Sequence, residues 1–512
     1  MPKDKNSHTV IIIGAGIAGL SAGIYTQLNG YQSRIYEMHS LPGGLMTSWK
    51  RKGYTIDGCV QWLMGSNPKS NLYPLYTDVG LIQNRQFYNP DVFLYFEDSN
   101  GKALTFYADI DRLEKELVSH APEDSAFIHE FCSASRALVG FNPPVGGSGS
   151  LFKYMVGSWS MLPRMISLGP TMLKWTKMSM SQFAARFKSP FLRQIFSHLW
   201  QPEMTVISLL FFLAYISNGM NGFPIGGSLP MALAVEKRYR SLGGEIHYNC
   251  RVEKILVEDN QAVGTRLSNG DEQHADYIIS AADGHATIWD MLDGKYVNDE
   301  LRKIYREFKL FPPILLIGLG VKRTFNELPR ATGGAVIELK QPFNVAGEPV
   351  ERLKMTVYNF DPTLAPQGKT LVNVKIQTRY DYWKELINDR ESYDAEKERI
   401  SFEVIQRLDQ RFPGFASQVE MADVATPMTF ERYTGVWQAS YEGFLPTPET
   451  VRSSIPNTLP GLENFYMAGQ WVRVGGGIPT GVSVGREAVM QICKKDGVKC
   501  SEHRLALRTA NA

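Results

Sequence analysis

Six residues near the start, Gly14-Ala15-Gly16-Ile17-Ala18-Gly19, constrain the fold more than anything else in the chain. They follow directly on Thr9-Val-Ile-Ile-Ile13, a β-branched run that reads as a fully buried parallel strand. An apolar helix is predicted from 17 to about 29, stopped by Gly30. A second strand over 33–37 ends in the acid Glu37, eighteen residues after Gly19. In such a unit Gly14 allows the tight turn, Gly16 lets a pyrophosphate approach the backbone, and Gly19 lets helix and strand pack closely. The helix start, with Ala18 in its first turn, offers unpaired N–H groups and a partial positive charge. Glu37, with Met38 beside it, is placed to accept bonds from both adenosine ribose hydroxyls, which disfavours a 2′-phosphate. The expectation is a dinucleotide, FAD or NAD.

The next residues favour FAD. Leu41-Pro-Gly-Gly-Leu-Met-Thr-Ser48 comes just after the acid and is followed by Gly53-Tyr-Thr-Ile-Asp-Gly58. A second glycine pair there suits a long dinucleotide whose flavin half lies over the next loop. With these segments the chain resembles the phytoene-desaturase-like flavoproteins, a group that includes carotenoid cis-trans isomerases and retinol saturases and is related to the amine oxidases. Many members carry Arg after the glycine pair, where this chain has Leu45. Backbone contacts from Gly43 and Gly44 do not depend on it.

The resemblance resumes twice. Gly222-Phe-Pro-Ile-Gly-Gly-Ser-Leu-Pro230 leads into a predicted helix to about 242, then a strand over 245–249 and another over 252–257. Asn269-Gly270 lies between two strand-like runs and predicts a hairpin. The run 275–283 follows, and the resemblance implies that it returns beneath FAD and that Val252 holds the adenine by its backbone. Near the C-terminus, residues 459–471 read as a turn, a buried strand and Gly469-Gln470. Gly475-Gly-Gly-Ile-Pro-Thr-Gly-Val482 then opens a helix to about 493. Pro479 suits a first helical turn. Around Ile478, the N–H groups of Thr480, Gly481 and Val482 are expected to face the flavin's pyrimidine edge. Many relatives carry an acid where Gln470 stands; an amide can still bond a ribityl hydroxyl.

The resemblance covers 8–60, 222–285 and 455–495 by motif, and 61–221 and 286–454 by layout only. It implies an α/β fold with a Rossmann-like, discontinuous FAD-binding domain over 8–70, 222–290 and 455–500. A mixed-sheet substrate domain is expected over 71–130 and 291–454, and a helical lid or membrane-contact segment over 131–221. A chain of 512 residues with 44% hydrophobic and 21% charged residues is long enough for such an arrangement and excludes a disordered or fibrous chain. A net charge of +2 gives no reason to expect a nucleic-acid partner. Five scattered cysteines fit neither a disulfide framework nor a metal site, so a reducing, cytoplasmic setting is expected. The run 10–13 is too short for a signal peptide. The longest apolar stretch, 204–217, reads as a buried helix rather than a transmembrane span.

Residues 131–202 contain no acid but eight basic residues, Arg136, Lys153, Arg164, Lys174, Lys177, Arg186, Lys188 and Arg193. Six methionines between Met155 and Met180 lie among them, with Trp159, Trp175 and Trp200. This mixture suits docking on a membrane surface. It also suits a lid over a greasy pocket or an oligomer contact. The first two imply an apolar substrate.

An apolar lipid has few polar handles, so its chemistry would rest on holding a C–H or C=C bond against a flavin. No convincing triad, carboxylate pair or metal-ligand spacing appears, and no catalytic residue is assigned. Substrate-side candidates are Asp57, Gln61 and Trp62, and Arg432, Tyr433, Trp437 and Tyr441. The expected activity is FAD-dependent desaturation or saturation of a polyene, carotenoid, retinoid or isoprenoid lipid. A redox-neutral cis-trans isomerase, an amine oxidase, and a non-enzymatic flavin-bearing scaffold are the alternatives.

Overall fold

The computed structural model describes residues 8–142 and 162–500, with side chains from 166 onward in the second part. Five parallel strands form one sheet, in the order Glu245–His247, Gln32–Tyr36, Thr9–Ile13, Tyr277–Ser280 and Phe465–Met467. The three segments that share motifs, far apart in sequence, therefore meet in a single layer. Thr9–Ile13 is central and its last four residues are buried, as its β-branched composition requires.

The helix Ile17–Leu28 packs against this sheet between the helices Ser228–Ser241 and Ile478–Lys495. Small residues set the spacing. A Cβ on Gly481 would stand 2.6 Å from Ile17 Cγ2, and one on Gly485 would stand 2.4 Å from the Ala18 carbonyl oxygen. The predicted strand 245–249 stops at His247, because Asn249 turns left-handed (φ +56°) and redirects the chain. Val252–Glu258, Gln261–Leu267 and Glu272–His274 then form a separate antiparallel sheet. Its Asn269-Gly270 turn uses Gly270 at φ +91°.

The second large sheet has seven strands, ordered Val419–Ala425, Ile314–Val321, Thr370–Gln377, Glu348–Val357, Ala331–Val345, Val92–Glu97 and Ala103–Tyr107. All neighbours are antiparallel except Ala331–Val345 against Val92–Glu97. Alternation sorts its central strands. Leu353, Met355, Val357, Val372, Val374 and Ile376 join a core with the helix Arg390–Arg411. The intervening Lys354, Thr356, Asn373 and Lys375 lie on the other face.

A third core is helical. Ser125–Leu138, Leu162–Thr176, Met180–Ala185, Pro190–Leu199 and Val206–Ser217 pack around Phe131, Trp175, Phe183 and Phe196. Val206–Ser217 is a buried helix, and no described helix is long and apolar enough to cross a membrane. The acid-free run is less lopsided in space than in sequence. Arg136 pairs with Asp111 and Glu114, and Lys174 with Glu130. Trp175 and Met180 are buried in the helical core. Lys153, Met155, Trp159 and Met161 lie outside the described residues, as do the side chains of Arg164 and Met165.

Candidate cofactor and substrate cavity

A cavity of about 1520 Å³ runs from the glycine turn to the second large sheet. A pocket for one small ligand holds roughly 300–1,000 Å³, so this one has room for a cofactor and a substrate together.

At one end the walls are backbone. Gly14, Gly16, Ala18, Glu37, Met38, Gly43, Gly44 and Leu45 line it, with Val252. Gly43 N–H donates to the Ala15 carbonyl at 2.8 Å, fixing the second glycine pair beside the first. A Cβ built on Gly16 meets nothing within 4 Å, so the backbone faces open cavity there. A Cβ on Gly44 would stand 3.4 Å from Gly16 Cα. Glu37 is only 6% exposed, and its carboxylate accepts from Ala15 N at 2.6 Å and His39 N at 2.8 Å. Burial pushes its pKa up, and these N–H groups pull it partly back. Each oxygen keeps a lone pair for a ribose hydroxyl.

Gly469, Gln470, Ile478, Thr480 and Gly481 line the same cavity. Neither the helix starting at Ile17 nor the one starting at Ile478 has a side-chain cap or an acid in its first turn. Their leading N–H groups are free to meet a ligand's negative charge. Two predicted residues act through packing instead and do not line the cavity. A Cβ on Gly19 would stand 2.0 Å from Gly14 O, and Val482 is buried with its carbonyl accepting from Ser21 Oγ at 2.8 Å. Gln470 donates its amide to Ser440 O at 3.0 Å. The glycine cradle, the acid and the two uncapped helix starts fit a flavin dinucleotide.

The substrate-side candidates separate. Gln61, Trp62 and Tyr441 line the cavity. Gln61 donates to Thr356 Oγ1 at 3.1 Å, and Trp62 packs edge-on against Phe212 at 4.8 Å. Trp200 meets the same Phe212 at 5.5 Å, so an aromatic wall forms there. Arg432 and Tyr433 also line the cavity, but at the ribose end, where Tyr433 packs against His39 at 5.0 Å. Trp437 is not in the wall. It stacks on His285 at 4.7 Å and packs on Trp471. Asp57 is also outside the wall, fully buried, and accepts from the N–H groups of Cys59, Val60 and Ser228 and from the Ser228 hydroxyl. It ties the flavin-side hairpin to the helix Ser228–Ser241. Burial raises its pKa.

Among the wall residues that the sequence did not single out as site candidates are four ionisable ones, Asp283, Lys354, Lys375 and Glu442. Asp283 ends the run 275–283 and accepts from Ala286 N and Trp437 N, both at 2.9 Å, with its pKa raised to about 6 by burial. Its place at the end of a buried strand run was the available signal. Lys354 and Lys375 face the cavity from neighbouring strands. Burial pushes Lys354 down to about 8, helped by Lys375, and burial lowers Lys375 as well. Glu442 sits beside the glycine loop 475–477, and burial raises its pKa.

A sequence model of the family described as flavin containing amine oxidoreductase matches residues 17–493. The chain is 26% identical to a chloroplastic prolycopene isomerase of Daucus carota, across 93% of this chain and 78% of that protein. It is 24% identical to a lycopene-forming phytoene desaturase of Pseudescherichia vulneris, across 95% of this chain and 99% of that protein. Among solved structures, cyclohexylamine oxidase from Brevibacterium oxydans superposes with a TM-score of 0.57 at 15% identity, covering 96% of this chain and 100% of that one.

Proposed function

The chain belongs to the flavin containing amine oxidoreductase family, and from that premise we propose that it desaturates or saturates C–C and C=C bonds of a polyene or isoprenoid lipid. It is an FAD-dependent oxidoreductase. The observation that carries the substrate class is the single cavity, glycine-lined at one end and walled by Trp62, Trp200 and Phe212 at the other. Bound FAD supplies the redox couple. The protein's part is to bind, orient and keep water out. The backbone at Gly16 and Gly44 would hold the diphosphate and Glu37 the ribose. The N–H groups at the start of the helix Ile478–Lys495 would face the ring edge where charge collects. The aromatic wall would fix a chain against the ring, which is where rate is gained for a substrate with few handles.

An amine substrate fits less well. Trp437, one member of the aromatic cage such a substrate would need, is stacked on His285, and two lysines face the same cavity. The similarity to a prolycopene isomerase keeps redox-neutral isomerisation as the second reading. Incubating FAD-loaded protein with a polyene and weighing the product separates the two. A change of two hydrogens supports desaturation or saturation, and altered geometry at constant mass supports isomerisation. Unchanged polyene with oxidation of simple amines would defeat both.

We further propose that the cofactor unit comprises 8–70, 222–290 and 455–500, the substrate unit 71–130 and 291–454, and the lid 131–221. The lid would also dock on membranes, since a lipid substrate resides there. Supporting this, Ile166 is 69% and Leu173 47% exposed, seven residues apart on one face of the helix Leu162–Thr176.

A further inference from the structure

The cavity walls carry a charge pattern that a hydrocarbon substrate does not call for. Lys354 and Lys375 are register partners on adjacent strands and both line the cavity. Neither ammonium makes a hydrogen bond or ion pair with a described side chain. Two residues before Lys354, Arg352 lines the same space, and its Nε is buried with no partner among the described residues. The nearby carboxylates are mostly committed elsewhere: Glu351 pairs with Arg352, and Glu431 with Lys384. Glu442 and Asp57 act on Lys375 only through space. Asp57 is already saturated by four donors. Of the carboxylates that act on this lysine pair, only Glu442 remains available to it among the described residues.

Both lysines are part-buried where they face the cavity, so a substrate that fills it strips water from their ammonium groups, which is strongly unfavourable unless that substrate brings a partner. A pure hydrocarbon brings none. The opposite face of the same two strands presents Leu353, Met355, Val357, Val372, Val374 and Ile376, so a greasy wall was within reach of this sheet. We infer that the substrate is an apolar chain ending in an oxyanion, a carboxylate or a phosphate, which Lys354 and Lys375 receive. This rests on the polyene and isoprenoid reading above and narrows it. An anchored end would also fix which bond of a repetitive chain lies against the flavin, a choice that an apolar wall alone makes weakly.

The test uses FAD-loaded protein and four probes: retinoic acid, its methyl ester, geranylgeranyl phosphate and geranylgeraniol. Binding is read from the perturbed flavin absorbance at neutral pH. A charge-assisted contact made only by the anion predicts that one or both anions bind about tenfold or more tighter than their uncharged counterparts. Which anion does so separates the two sources. Lys354→Met and Lys375→Met are each expected to erase most of that preference while retaining FAD, and Lys375→Arg to keep it. Equal binding of charged and uncharged probes by the unaltered protein overturns the inference, leaves the polyene reading standing, and requires no variant to fold. Variants that lose FAD instead of the preference also overturn it, since the lysines would then serve the cofactor. If none of the probes perturbs the flavin, the proposed function fails and takes this inference with it.

Discussion

The two ends of the cavity are built from different materials. The cofactor end is made of backbone: Gly14, Gly16, Gly43 and Gly44, two uncapped helix starts, and one acid held by Ala15 N and His39 N. The substrate end is made of side chains, Trp62, Trp200, Lys354, Lys375 and Glu442, brought together from a loop, the helical layer, two strands and a turn. A backbone site depends on conformations few residues adopt, so it tolerates little change. A side-chain site can be rewritten position by position while the frame stays put. A shared frame with a variable wall agrees with one fold serving relatives described as desaturase, isomerase and amine oxidase.

If that contrast holds, the largest effects of substitution fall at the cofactor end. Gly19→Ala drives a Cβ to within 2.0 Å of a backbone oxygen. It is expected to cost about 4 kcal/mol or more and to abolish FAD retention, read by thermal unfolding and flavin content. A stable, FAD-loaded Gly19→Ala protein would break the comparison.

Asp57 sits at the joint between the two ends. Asp57→Ala strands the three backbone donors and the hydroxyl that it satisfies. A loss of about 3 kcal/mol is expected, with weakened FAD binding, because the hairpin and the helix Ser228–Ser241 lose their common anchor. Loss of turnover with stability and FAD intact would instead make Asp57 part of the substrate wall.

Asp283 gives a smaller, pH-dependent signature. Burial raises it from 3.8 to about 6, so the folded protein takes up this proton at higher pH than the unfolded chain does. Its contribution is fully present below about 4 and is lost as pH rises through about 6. The difference in melting temperature between the unaltered protein and Asp283→Asn should therefore shift in favour of the unaltered protein as pH falls across that window. A pH-independent difference would contradict this.

The smallest effect is expected at the lid surface. Ile166→Asp with Leu173→Asp should weaken vesicle binding about tenfold and leave the flavin spectrum unchanged. Unchanged vesicle binding would remove membrane docking through this helix.

The same contrast explains what could be read in advance. The cofactor end is written locally. A strand, a glycine turn, a helix and an acid fall within residues 9–37, and each glycine has a steric reason visible in its spacing. The parallel sheet joining three distant segments follows from their motifs. At the substrate end, alternation shows that Lys354 and Lys375 face away from the core but not what they face. In sequence each resembles an ordinary solvent-facing position of a strand. Their meeting depends on strand register, and the cavity depends on the helical layer covering that face. Trp437 shows the reverse problem. Its composition suits a pocket, but His285 and Trp471 surround it with other aromatic groups. The acid-free run likewise gave no sign that Asp111, Glu114 and Glu130 fold back onto it.

The proposed function requires one continuous cavity to hold a flavin dinucleotide and a lipid chain end to end. A crystal structure of the FAD-bound protein grown with a polyene ligand tests it most directly. The diphosphate is expected between Gly16 and Gly44, the ring edge at the start of the helix Ile478–Lys495, and the polyene along Trp62, Trp200 and Phe212. A dinucleotide bound away from the glycine pairs, or a polyene seated outside that aromatic wall, would contradict it.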